Sequence, residues 1–252
     1  MKNQQRLSTA HSRWLKGIIL ALLMLTLGAS AETKADPVSL GAASGFTVLG
    51  IGNTKISING GNGVHGTVGS NGQIALDNPS NIFGDVILGS SGSFKSTAQL
   101  PVTVTQNAAL ISQAGADARA ASTFAAGLAA TNSLTSIHFS NSSQTLNGGA
   151  MVNVLNLTEV NLNHGTLILN APAGGSFVLN VSGDFVLNTG SILLAGGLTA
   201  NDVLINVTGT GSNAAFTGGG NSSVVFGTLL VVDRNIQLSP GMVNGRIIGG
   251  GL

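Results

Sequence analysis

A mainly β fold, a β-solenoid with one long helix laid against it, is what this 252-residue chain predicts, and three observations carry the prediction. The first is a set of short apolar runs that end in Asn: Leu167-Ile168-Leu169-Asn170, Phe177-Val178-Leu179-Asn180, Phe185-Val186-Leu187-Asn188 and Val203-Leu204-Ile205-Asn206. Three apolar residues in a row imply strands covered at least partly on both faces. The second is the Gly, Asn, Ser and Asp between such runs, which supply the positive φ angles and local hydrogen bonds that tight turns need. The third is a single segment, about 104–131, whose apolar positions Ile111, Ala114, Ala118, Ala121, Ala125 and Leu128 recur at helical spacing.

Taken in order, the chain opens like an export signal. Lys2, Arg6, Arg13 and Lys16 precede an apolar run over 17–28, and Ala29-Ser30-Ala31 follows as an A-x-A cleavage site. That run is shorter than the roughly 20 residues a spanning helix needs, so cleavage after Ala31 is expected, with no transmembrane helix in the mature chain. The expected organisation is a signal peptide over 1–31 and one solenoid domain over 32–252. Removing the leader takes away four of the ten basic residues and the single Trp, Trp14, and leaves all nine acidic ones. The remaining chain is weakly acidic and lacks Cys, Trp and Tyr.

From about Val38 to Pro101, apolar pieces such as Phe46 to Ile51, Ile56 to Ile58, Gln73 to Leu76 and Asp85 to Leu88 alternate with turn residues, an all-β signature. The Ala-rich helix follows, with Thr103 or Thr105 as its predicted cap and Asn132 as its predicted end. Its Ala stripe allows unusually close packing against the sheet. From Leu146 to Leu252 the Asn-terminated runs dominate, and Val224 to Val232 is a longer run of the same kind. If these strands stack coil upon coil, successive Asn side chains meet as amide ladders. An up-and-down barrel or a sandwich uses the same short strands and stays open as the competing architecture.

The composition excludes several kinds of chemistry. Charged residues are 8% of the chain, against about a quarter in an average domain. No basic patch exists to neutralise phosphates, so nucleic acid is not an expected partner. Without Cys, an exported chain has no disulfide framework and no lipid-bearing Cys. Gly61-x-Gly63-x-x-Gly66 matches a dinucleotide fingerprint, but Thr67-Val68-Gly69-Ser70-Asn71-Gly72 continues it with turn chemistry rather than a helix. His65, His138 and His164 lie far apart in sequence, with no i, i+4 pair, so no metal site is expected. Asp77, Asp85, Asp184, Asp202 and Asp233 stand beside Gly and Asn, as turn residues do. A polysaccharide lyase or hydrolase groove needs clustered acids and bases. Lys34, Lys55, Lys95, Arg119, Arg234 and Arg246 are too few to line one. No catalytic residue and no cofactor are expected.

Against this background the sequence resembles a known family. Val38-Ser39-Leu40-Gly41-Ala42-Ala43-Ser44-Gly45-Phe46-Thr47-Val48-Leu49-Gly50, Asn170-Ala171-Pro172-Ala173-Gly174-Gly175-Ser176 through Asn180-Val181-Ser182-Gly183, and Ala200-Asn201-Asp202-Val203-Leu204-Ile205-Asn206 are similar to the bacterial choice-of-anchor A family. So is the closing Phe226-Gly227-Thr228-Leu229-Leu230 to Val243-Asn244-Gly245-Arg246-Ile247-Ile248-Gly249. The opening and closing segments also resemble bacterial ice-binding-like proteins. That resemblance implies a discontinuous β-solenoid with a long helix alongside, secreted or at the cell surface, with the periplasm as a further possibility. No sorting motif precedes Leu252, so covalent anchoring is not expected.

The expected function is therefore non-enzymatic: a surface that adheres to a cell, a matrix or a polysaccharide. The alternative is ice binding through a flat, weakly charged face. Residues 150–252 contain eight Thr against thirteen Asn, and Thr208-Gly209-Thr210 is their one Thr-x-Thr, which counts against a regular Thr array. A polysaccharide-cleaving β-helix stands third. The binding face itself is not assignable from the sequence.

Overall fold

The structure is a computed structural model and describes residues 37–58, 63–77, 79–97, 102–217, 223–239 and 241–250. Ala29 and Ala31 lie outside the described residues.

Short apolar runs broken by Gly and Asn wind into stacked coils. The first stack holds β1 (Val48–Gly50), β2 (Ile56–Ile58) and β3 (Gly63–Val64), then β4 (Val68–Ser70), β5 (Gln73–Leu76) and β6 (Asn81–Ile82). It continues with β7 (Val86–Leu88), β8 (Ser93–Ser96) and β9 (Val104–Gln106), which leads into the helix α1 (Ala108–Ala126). The second stack begins with β10 (Ile137–Ser140), β11 (Ser143–Asn147) and β12 (Val152–Leu157), then β13 (Val160–Asn163), β14 (Thr166–Ala171) and β15 (Ser176–Val181). Its third coil is β16 (Phe185–Asn188), β17 (Ser191–Gly196) and β18 (Val203–Val207). In the last two coils the second and third strands fuse, giving β19 (Ala214–Thr217) with β20 (Ser223–Val231) and β21 (Ile236–Ser239) with β22 (Gly241–Gly249).

Each strand pairs in parallel with its counterpart one coil away, as in β12 on β15 and β15 on β18. The stacks are joined where the last strand meets the first, with Val48 opposite Ile247 and Leu49 opposite Ile248. The solenoid is thus discontinuous: the described residues start mid-stack, wind outward to β9, return through α1, and wind back from β10 to close on β1.

Each coil of the second stack has three sides. The first open side carries β10, β13, β16, β19 and β21. The second carries β11, β14 and β17 with the N-terminal halves of β20 and β22. The third carries β12, β15, β18 and the C-terminal halves of β20 and β22, and runs on through β1, β4, β7 and β9. Inside lies an apolar core that includes Phe177, Phe185, Phe216, Leu167, Leu169, Leu187 and Ile205. The rings of Phe185 and Phe216 meet at 5.8 Å and 55°, an edge-weighted geometry that adds to their area burial.

The helix covers the third side. Ile111, Ala114, Ala118, Ala121 and Ala125 are buried in one cluster with Leu49, Val154, Val178, Leu204, Leu230 and Ile248. At Gly69 in β4 a Cβ would come within 2.4 Å of the Phe46 ring and 2.9 Å of Ile111, so the strand packs too tightly there for a side chain. The helix is shorter than the periodicity predicts. Val104–Gln106 is a strand, because Val104, Thr105 and Gln106 pair with Val86, Ile87 and Leu88. Asn107, rather than Thr103 or Thr105, caps the helix by accepting a hydrogen bond from Leu110 N at 3.0 Å, and Gly127 rather than Asn132 ends it.

The Asn residues that end the apolar runs form ladders. Asn206 Nδ2 donates to Asn180 Oδ1 at 2.9 Å and Asn180 Nδ2 to Asn156 Oδ1 at 2.9 Å. The same amides also donate outward, Asn206 to Ser122 O and Asn180 to Ala125 O in the last helical turn, and Asn156 to Leu128 O just past the helix end. The ladder therefore supplies partners to carbonyls of the last helical turn, of which the final ones lack intrahelical donors. Arg234, 4% exposed, clamps the corners of two preceding coils by donating to the carbonyls of Ser182, Gly183, Thr208 and Gly209.

Candidate functional site

On the second stack, with the third side under the helix, two sheet faces are left to meet other matter, and they differ in width and in the charge at their borders. On the second side the outward rows follow the strand registers. One row reads Ser143, Thr166, Ser191, Val224, Met242. The next begins Thr145, Ile168, Leu193 and resumes with Phe226 and Asn244, and the third is Asn147, Asn170, Ala195. No Lys, Arg, Asp or Glu occurs in β11, β14, β17, Ser223–Gly227 or Gly241–Gly245. Rows repeat from coil to coil at the parallel strand spacing of about 4.8 Å. The result is an uncharged field of hydroxyl, amide and aliphatic groups with one aromatic, Phe226, in which Met242 is 50% exposed. Asn170 Nδ2 donates to Asn147 Oδ1 at 2.8 Å along one margin, which fixes both amides.

The first side is narrower, with four-residue strands whose outward positions include His138, Asn161, Val186, Ala215 and Gln237. Charge borders it: Glu159 Oε1 lies 3.6 Å from His138 Nδ1, and Asp184 is exposed at the same corner of the next coil. The corner between the two open sides is turned by Asn141, His164 and Thr189 in successive coils, all at φ between 52° and 55°. A β-branched residue such as Thr adopts that region only under constraint.

The histidines singled out in the sequence are held apart. His65 stacks on Phe83 at 4.5 Å and 14°, His138 faces Glu159, and His164 Nδ1 lies 2.9 Å from Asn163 Oδ1. Among the described residues no three His, Asp or Glu side chains gather as a metal would require. Of the carboxylates, Asp202 is buried and accepts from Thr199 N and Oγ1, and Asp233 pairs with Arg119 at 2.9 Å. Gly66 leads straight into β4, so the glycine fingerprint meets no helix N-terminus.

A polar cleft of about 460 Å³ borders the second side where the two stacks join, lined by Ser44, Gly45, Phe46, Thr47, Thr199, Ala200, Asn201, Asn244, Gly245 and Arg246. Its lining holds no carboxylate or imidazole for acid–base work. Arg246 is engaged there, donating from Nε to Ser44 O and from Nη1 to Asn201 Oδ1. No helix among the described residues is long and apolar enough to cross a membrane.

The fold and faces define a class: a discontinuous parallel β-solenoid with a helix on one side and an uncharged sheet on another. A scan against known protein families finds no match, and a search of curated proteins finds none either. Among solved structures the chain is similar to an ice-binding protein from the Antarctic ascomycete Antarctomyces psychrotrophicus, at 19% identity and TM-score 0.47, covering 85% of this chain and 92% of that one. It is also similar to an ice-binding protein from an Antarctic biological consortium, at 18% identity and TM-score 0.40, covering 87% and 91%. A third is an ice-binding protein from an Arctic yeast, at 14% identity and TM-score 0.40, covering 86% and 96%. The resemblance to the choice-of-anchor A family gains no support from these searches. At such values the fold rests on this chain's own ladder registers.

Proposed function

We propose that this protein associates with ice through its second side, as an exported, non-enzymatic surface protein whose leader is removed after Ala31. The uncharged rows built on Thr145, Thr166, Ile168, Leu193 and Val224 are the observation that carries this reading. An ice surface bears no net charge, and a charged side chain holds its own hydration shell, which does not fit the lattice. Aliphatic groups repel bulk water, hydroxyls and amides anchor a few molecules, and the strand repeat spaces both regularly. This reading displaces adhesion to a matrix or polysaccharide as the leading one. Adhesion would draw on aromatic or charged contacts, and this face offers one Phe and no charge.

The test is ice-recrystallisation inhibition by purified protein. Wild type is expected to inhibit, and Ile168→Lys or Leu193→Lys to abolish the effect, each with the circular dichroism spectrum of wild type. Asn161→Lys, on the first side, is expected to inhibit like wild type. A wild-type protein that leaves recrystallisation unchanged sinks the reading, and retention on polysaccharide would then favour adhesion.

A further inference from the structure

The coil that ends the second stack carries an unusual edge. In β11, Thr166 N donates to Ser142 O at 2.9 Å and Gly148 N donates to Asn170 O at 2.8 Å. Even-numbered residues thus face β14, and the N–H and C=O groups of Ser143, Thr145 and Asn147 point to the open edge, since backbone pairing alternates along a strand. Among the described residues β11 pairs with β14 alone. The neighbouring β12 is closed by Thr131, whose N donates to Val154 O and whose Oγ1 accepts from Val154 N.

Proteins normally protect such an edge with Lys, Pro or a bulge, because it templates pairing with another strand. The opposite end of the solenoid follows that rule on one side, with Lys95 exposed on β8, although the uncharged β9 ends the large sheet there. The β11 end does not. From Ala120 to Thr158 the chain has no Lys, Arg, Asp, Glu or Pro, and Met151 and Val152 just beyond β11 are 63% and 39% exposed.

We propose that β11 is a self-pairing edge, at which two copies of this chain join β11 to β11 in antiparallel register about a two-fold axis at Thr145. That register sets Thr145 against Thr145 and Ser143 against Asn147, pairs that contain no charge to repel. Every edge-facing N–H and C=O of the three residues finds a partner in it. Asn147 Oδ1 already accepts from Asn170, and its amide donors are free to meet the Ser143 hydroxyl of the second copy. A two-fold axis perpendicular to the sheet keeps the second sides of both copies facing the same way. The uncharged field then runs unbroken from one copy into the other. The use of that enlarged field rests on the ice reading, whereas the pairing does not.

The chain has no cysteine, so one introduced thiol reports the axis directly. Cα atoms of a hydrogen-bonded antiparallel pair lie about 5.5 Å apart, inside the disulfide range. Under mild oxidation Thr145→Cys is expected to give a covalent dimer at least tenfold faster than Ser57→Cys, an exposed control on β2. Light scattering on wild type is expected to show a concentration-dependent rise toward twice the monomer mass. Thr145→Pro, which removes an edge-facing N–H and no bond to β14, is expected to stay monomeric with an unchanged circular dichroism spectrum. Wild type that stays monomeric across the micromolar range, or equal cross-linking of the two Cys variants, overturns the proposal. A monomer that still inhibits ice growth removes the pairing and spares the face, and a dimer that leaves ice untouched does the reverse.

Discussion

The two stacks solve one packing problem with different means. The second uses strands of four to nine residues and fills its interior with Phe177, Phe185 and Phe216. The first uses strands of two to four residues, and its core of Ile58, Val68, Ile74, Leu76, Ile82, Val86 and Leu88 contains no fully buried aromatic. Glycine fills its tight places: a Cβ on Gly84 would lie 2.5 Å from Gly66 O, and one on Gly72 would lie 2.3 Å from Thr54 O. Shorter strands enclose less apolar area, and burial is the main source of stability in a chain without disulfides. The buried amide ladder also belongs to the second stack, whereas the Asn53–Asn71 pair of the first is exposed. A uniform repeat can therefore hide an uneven distribution of stability, as quasi-one-dimensional folds allow.

The largest expected effect comes from the aromatic core. Phe185 is 0% exposed, and Phe185→Ala should cost about 3–5 kcal/mol in chemical denaturation, as truncations of buried Phe do. Ile82→Ala in the first stack should cost less. Hydrogen exchange should show β4–β7 opening before β15–β18, and the opposite order would refute the ranking of the stacks. Next in size, Asn206→Ala leaves Ser122 and Asn180 without their shared partner and should cost about 1–3 kcal/mol, the price of unsatisfied buried polar groups. Asn71→Ala, which loses the Asn53 contact and the bond from Ser91 N at a site open to water, should shift the same denaturation curve by less than Asn206→Ala. The smallest effect concerns the tie between helix and sheet. Arg119 and Asp233 are 43% and 39% exposed, so Arg119→Ala should cost at most about 0.2–1 kcal/mol, and added salt should shrink it. A larger loss would mean that this pair, and not the Asn ladder, holds the helix down.

Much of this arrangement was legible in the residues. The four Asn-terminated runs place Asn170, Asn180, Asn188 and Asn206 in ladders, because stacking in register sets like beside like. The helical stripe Ile111, Ala114, Ala118, Ala121 and Ala125 is buried as its period requires, while Leu128, its predicted last member, lies past the helix end and is only partly buried. The start of the helix was misplaced for a tertiary reason: β7 captures Val104–Gln106 as its next strand. The uncharged face left a weak signal, since every strand of the second stack lacks Lys, Arg, Asp and Glu apart from Arg246 in β22, and the strands that share one face are known only once they are neighbours. Arg234 left none, since a single Arg in a turn does not announce four carbonyl partners.

By itself the sequence determined what is local: the period of the helix, the length of the strands, the placement of turns and the scarcity of charged groups. These follow from backbone preference and burial within a few residues. Tertiary structure decided which distant segments became neighbours. Val48 lies opposite Ile247 and Asn206 holds Ser122, because parallel coils are joined by backbone hydrogen bonds that carry no residue label. A face is the sum of such neighbours, so its width and neutrality exist only in the folded stack.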